Sequence, residues 1–120
     1  MKYFESSVKE IGTAAGEFAS EKMMVLFGEQ APVDLKDFCY SIQVRPLARK
    51  LETGDILAFD DQRFVITAIG NKVNDTFREL GHMTIKFNGQ ITADLPGTVH
   101  VEDKNYPQLR VGTKIILEKE

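Results

Sequence analysis

A chain of 120 residues with 42% apolar and 28% charged side chains is the size of one domain and can fill one packed core. Its net charge of −3, with the densest basic group (Arg45, Arg49, Lys50) hemmed in by acids, excludes nucleic acid as the expected partner. No stretch approaches the ~20 consecutive apolar residues of a membrane span, so no direct membrane insertion is expected.

Lys2 to Ile11 alternates weakly and predicts a first strand, broken by Gly12-Thr13-Ala14-Ala15-Gly16. Glu17 to Lys22 fits one helical turn. Met23 to Phe27 is a continuous apolar run of strand length, as expected of a strand covered on both faces. Gly28 to Pro32 turns the chain, and residues 33–38 fit one or two turns of helix, with Pro32 at the start and Leu35 and Phe38 three apart. In residues 39–45, Tyr40, Ile42 and Val44 fall on one side and Cys39, Ser41, Gln43 and Arg45 on the other, until Pro46 ends the strand.

Ile56 to Asp60 and Arg63 to Gly70, joined by a short polar link, form the clearest hairpin. Its second strand divides into a Val65, Thr67, Ile69 face and a Phe64, Ile66, Ala68 face. Residues 71–80 are mostly polar, with Asn71 and Asn74 as turn or cap residues, and the spacing of Phe77 and Leu80 allows a single helical turn. Met83, Ile85 and Phe87 then alternate with His82, Thr84 and Lys86, and Asn88-Gly89 closes that strand with a tight turn. After a short Ile91 to Leu95 segment, Val99 and Val101 alternate with Thr98, His100 and Glu102. Residues 103–108 loop, and 113–118 make a last strand. The class is mostly β. About eight short strands with one or two short helices predict a closed or near-closed barrel, or a sandwich. No internal repeat is legible.

His82 and His100 are the two histidines, and the alternation puts both on the non-core side of strands. Imidazole is a nucleophile, base or ligand near neutral pH, and equally an ordinary polar residue on a solvated face. No phosphate-binding glycine loop, Cys-x-x-Cys, metal-ligand spacing or nucleophile elbow accompanies them, so no cofactor and no metal is expected. The lone Cys39 cannot form an internal disulfide, and Met1 to Glu5 lacks the apolar run of a signal peptide. A cytoplasmic location is therefore expected.

Arg78-Glu79-Leu80-Gly81-His82 with Met83 to Gly89, and Leu95-Pro96-Gly97-Thr98-Val99-His100-Val101, resemble the glucitol/sorbitol-specific IIA component of the bacterial sugar phosphotransferase system. Phe27 with Ala31-Pro32-x-Asp34-Leu35, Phe38-Cys39-Tyr40, and Arg63 with Thr67-Ala68-Ile69-Gly70 extend the resemblance over nearly the whole chain. It implies that residues 1–120 are one IIA domain. It also implies a phosphohistidine carrier that takes a phosphoryl group from the histidine-containing phosphocarrier protein. From there the group passes to a IIB component, for hexitol import by a membrane IIC component.

The resemblance further implies an acceptor histidine three residues after Cys39, where this chain has Ile42. Two readings stay open. Either the catalytic residue is His82 or His100, with His82 favoured and His100 as its orienting partner, or the chain is a non-transferring binding relative. Cys39 is a third acceptor by chemistry, and a small-ligand carrier is a further alternative. Arg78, Thr84, Lys86 and Thr98 are the candidate donors to a phosphoryl group.

Overall fold

The computed structural model describes residues 1–119. Eight strands, β1 (Lys2–Ile11), β2 (Met23–Gly28), β3 (Tyr40–Ile42), β4 (Ile56–Phe59), β5 (Gln62–Ile69), β6 (Met83–Lys86), β7 (Thr98–Val101) and β8 (Lys114–Glu118), close a barrel in the order β1-β3-β2-β6-β7-β5-β4-β8. A 3-10 turn (Ala15–Glu21) and two helices, α1 (Val33–Lys36) and α2 (Val73–Leu80), lie in the crossovers. The predicted closed, mostly β barrel is thus what the chain forms. Closure suits a chain of short strands, because it leaves no unpaired edge.

Alternation decides which residues fill the barrel. Val8, Met24, Leu26, Tyr40, Ile42, Leu57, Phe64, Ile66, Met83, Ile85, Val99, Val101, Ile115 and Leu117 point inward into one buried cluster. The uninterrupted apolar run of β2 has a physical reason: its outward side chains Val25 and Phe27 join Ala31 and Cys39 in a second cluster outside the barrel.

Two expectations change. β5 does not keep one face, because its pairing with β7 shifts register between Ile66 and Ala68. The bulge turns Ile69 toward the core cluster and Ala68 outward beside His100, so Val65 and Ile69 part company. β3 ends at Ile42, which leaves Val44 exposed instead of inward with Tyr40.

Register reveals a repeat that the residue types conceal. The parallel pairs β2–β3 and β6–β7 match, as do the antiparallel pairs β1–β3 and β5–β7. The pairs Val8/Ile42, Glu10/Ser41 and Ile11/Tyr40 correspond to Ile66/Val101, Ala68/His100 and Ile69/Val99, with the register shift at the same step. A pseudo-twofold axis therefore runs through the self-matching pairs Val25/Thr84 and Ala58/Ile116.

Gly12 and Gly70 are related by this axis. Gly12 N–H donates to Cys39 O at 3.0 Å, and Gly70 N–H to Thr98 O at 2.9 Å. A Cβ at Gly12 would overlap the carbonyl oxygens of Lys36 and Asp37, and one at Gly70 those of Leu95 and Pro96. Alanine at either position is expected to cost about 1–3 kcal/mol, alike at both, in urea unfolding. A loss under about 0.5 kcal/mol at either would refute the close-approach account.

One polar group is buried on purpose. The Asp55 carboxylate accepts from Tyr3 Oη at 2.7 Å, Arg49 Nη1 at 2.9 Å and Glu52 N–H at 3.0 Å, tying the 45–55 segment to β1. Burial pushes its pKa up, but the bonds from Tyr3, Arg49 and the Glu52 amide outweigh that and hold it below the ordinary carboxylate range. A depressed folded pKa contributes stability above the unfolded value, and this is lost as pH falls below about 4. Asp55→Asn should therefore flatten the acid limb of the stability-versus-pH curve. An acid limb as steep as that of the parent would exclude Asp55 as a source.

Candidate active site

His82 stands between α2 and β6, at the mouth of the β2–β6 pair. Helix α2 stops because Gly81 adopts the left-handed conformation (φ 68°), and its N–H closes the last turn onto Phe77 O at 2.9 Å. A side chain at position 81 would crowd Gly28 N and Val44 Cγ2 as well as strain the backbone. Thr76 then clamps the next residue from both sides. The His82 N–H donates to Thr76 O at 3.3 Å, and Thr76 Oγ1 donates to His82 O at 3.0 Å.

The ring is fixed by β2. The imidazole lies over Phe27, centroids 4.6 Å apart and planes 32° apart, and Nδ1 is 3.4 Å from Leu26 O. A carbonyl oxygen only accepts, so Nδ1 carries a proton, and Nε2 is the nitrogen that holds the lone pair when the ring is neutral. Nε2 has no protein partner among the described residues. No buried side-chain nitrogen is left unsatisfied there either, so Nε2 of this half-buried residue reaches solvent. The geometry ties Nδ1 to the β2 backbone and leaves Nε2 as the outward nitrogen, the one placed to act as a nucleophile.

His100 is placed differently. It does face away from the barrel core, but its exposure is 0%. Nδ1 meets Asn88 Oδ1 at 2.9 Å and Nε2 meets Asp94 Oδ1 at 3.1 Å, both from the 88–96 segment folded over β7. That segment takes the place, under the pseudo-twofold, of the Ala31–Cys39 stretch covering Phe27. β6 and β7 are neighbours and parallel, with Lys86 level with His100. His82 is four residues back along β6, roughly 13 Å away along the strand. The two histidines do not meet in one site, and His100 does not orient His82.

The candidate donors scatter as well. Arg78 is bound to Asp75 and Glu79 at 3.3 and 3.4 Å, Lys86 to Asp94 at 2.7 Å, and Thr98 is buried. Thr84 is half-buried opposite Thr98. Ile42 is fully enclosed among the inward core residues. Cys39 is 2% exposed, its Sγ donates to Leu35 O at 3.1 Å, and burial pushes its thiol pKa up, against a thiolate nucleophile.

Sequence reading missed Phe27, the Leu26 carbonyl and Thr76 around His82, and Asn88 and Asp94 around His100. Asn88 had left a signal as a turn residue, and Phe27 as part of an apolar run and of the family resemblance, but neither pointed to a histidine. No group of three or more His, Cys, Asp or Glu able to hold a metal occurs among the described residues, and none of their helices is long and apolar enough to cross a membrane.

Fold and site together define a closed mixed β-barrel with one accessible imidazole on its rim. Residues 3–116 match the family "PTS system glucitol/sorbitol-specific IIA component". The glucitol/sorbitol-specific EIIA components of Shigella flexneri and Escherichia coli K12 are each 36% identical over 98 residues, covering 82% of this chain and 80% of theirs. The crystal structure of a PTS system IIA component from Enterococcus faecalis V583 superposes with a TM-score of 0.83 at 29% identity, covering 93% of this chain and 97% of that one. The chain belongs to the glucitol/sorbitol-specific IIA family, and so to the phosphotransferase proteins of the sugar phosphotransferase system.

Proposed function

We propose that residues 1–120 act as one cytoplasmic IIA domain whose phosphoacceptor is His82. The donor is the histidine-containing phosphocarrier protein, and the recipient is a IIB component working with a membrane IIC component in hexitol uptake. The observation that carries this reading is the His82 ring itself: Nδ1–H is committed to Leu26 O and Nε2 is free and outward.

The step follows from that tautomer. The Nε2 lone pair attacks phosphorus in line with the donor's phosphoimidazole. The Nε2–P bond forms as the donor's N–P bond breaks, and that electron pair stays on the donor ring. The ring of His82 gains positive character, which the Leu26 carbonyl, facing Nδ1–H, stabilises. Transfer onward to the IIB component is the same exchange with His82 as the leaving group. Phe27 holds the ring plane, so that little orientational freedom is lost on docking.

Incubating the protein with phosphoenolpyruvate, the first enzyme of the system and the phosphocarrier protein tests this. The intact mass should rise by one acid-labile phosphoryl group, and digestion should locate it on the peptide containing His82. No gain beside a labelled control IIA protein, or a phosphoryl group on another residue, would sink it. A second reading, a binding relative without transfer, is favoured by Ile42 at the position where the family resemblance implies the acceptor, and the same assay decides between the two.

A further inference from the structure

His100 is the other buried question, because both of its ring nitrogens face oxygens. The orientation of Asn88 is fixed by a chain of hydrogen bonds with backbone groups at both ends. Gln90 Nε2 donates to Thr92 O at 2.9 Å, which turns Gln90 Oε1 toward Asn88 Nδ2 at 3.3 Å. Asn88 Oδ1 therefore faces His100, and it also accepts from the Gln90 backbone N–H at 3.1 Å. An oxygen so placed can only accept, so His100 Nδ1 must donate. On the other side Asp94 receives Lys86 Nζ on Oδ2 at 2.7 Å and His100 Nε2 on Oδ1 at 3.1 Å. The hydrogen bond from Lys86 is the main influence holding the Asp94 carboxyl below its ordinary range, so it is ionised and Nε2 must donate too.

We infer that His100 is a buried imidazolium, protonated at both ring nitrogens, and that it latches the 88–96 loop onto the barrel in a way that raising the pH undoes. The loop contributes Asn88 and Asp94, β6 contributes Lys86 through Asp94, and β5 presents only the neutral Ala68 at the paired position. Loss of either ring proton sets a lone pair against an oxygen and breaks one of the two attachments. The loop is otherwise held by Lys86 Nζ to Asp94 Oδ2 at 2.7 Å, Thr67 Oγ1 to Gln90 O at 2.6 Å, Gly89 N–H to Val101 O at 2.8 Å and Lys72 N–H to Pro96 O at 2.9 Å, so the Gly89–Gln90 end depends most on the Asn88 attachment. A doubly protonated imidazole also has no lone pair for phosphorus, so His100 is excluded as an acceptor by chemistry as well as by burial.

The test uses the full chain with ¹⁵N-labelled histidine. There are two histidines, so the His82→Ala spectrum assigns the signals. Long-range proton–nitrogen correlation at neutral pH should place both His100 nitrogens in the protonated range. One of them in the unprotonated range overturns the inference. As pH is raised, amide protection at Gly89 and Gln90, corrected for intrinsic exchange, should fall at least about tenfold in step with the loss of the second His100 proton. Protection that passes through that loss unchanged removes the latch. Asp94→Asn should bring the proton loss to lower pH, and no displacement would overturn the role given to Asp94. None of these readouts depends on phosphotransfer, so the outcome is separate from that of the His82 assay.

Discussion

His82→Ala should abolish phosphoryl acceptance, lowering the labelling rate at least about a thousandfold, because removing a nucleophile leaves no alternative atom for the bond. His82 is half-buried on the rim, and its ring packs on Phe27 outside the barrel interior, so the variant should unfold within about 1 kcal/mol of the parent. A His82→Ala protein that still labels at the parental rate would overturn the assignment.

Phe27→Leu separates positioning from chemistry. Leucine keeps apolar bulk over Ala31 and Cys39 but removes the flat face 4.6 Å from the imidazole. The rate should fall about tenfold while the final stoichiometry stays at one phosphoryl group per chain. An unchanged rate, or a reduced stoichiometry, would show that Phe27 does not act by orienting the ring. The pair of variants thus distinguishes the atom that bonds phosphorus from the side chain that aims it.

Phe87→Ala should produce the largest loss of stability. Phe87 is fully buried at one end of the barrel, with ring centroids 5.0 Å from Phe64, 5.2 Å from Tyr106 and 6.1 Å from Phe59. Its backbone N–H also donates to Lys22 O at 2.9 Å, joining β6 to the segment before β2. Truncation removes one ring from four that pack against each other and leaves a cavity that the closed strand ladder cannot collapse to fill. The cost should be about 3–5 kcal/mol, a large share of the roughly 5–15 kcal/mol that holds a domain folded. Thermal unfolding should drop by roughly 10–20 °C. Urea unfolding with an unchanged m-value would measure the loss cleanly. A loss under about 1.5 kcal/mol would mean that the aromatic end of the barrel repacks.

The architecture of this chain was largely written in local pattern. Alternation at Met83-Ile85-Phe87 and Val99-Val101 fixes which side chains face the core. The unbroken run Met23 to Phe27 announces a strand covered twice, and Asn88-Gly89 marks the end of the Met83–Phe87 strand. These signals survive because a strand's own geometry sends alternate side chains to opposite faces, whatever it later pairs with. Local pattern therefore determined the strands, the closed β class and the outward direction of both histidines.

Alternation does not say what covers an outward face, and there the tertiary structure decided. Nothing local distinguishes His82 from His100. One is stacked on Phe27 at the rim with a nitrogen in solvent, and the other lies beneath the 88–96 loop with both nitrogens engaged. The internal twofold was equally hidden, because it is carried by strand registers and by Gly12 and Gly70, while outward partners differ as widely as Phe27 from Lys86 and Ser41 from His100. Inward positions need only be apolar and of suitable volume, so two halves can share a backbone and almost no residues. Which imidazole is left free to react is set by contacts between segments far apart in the chain, and those exist only once the barrel has closed.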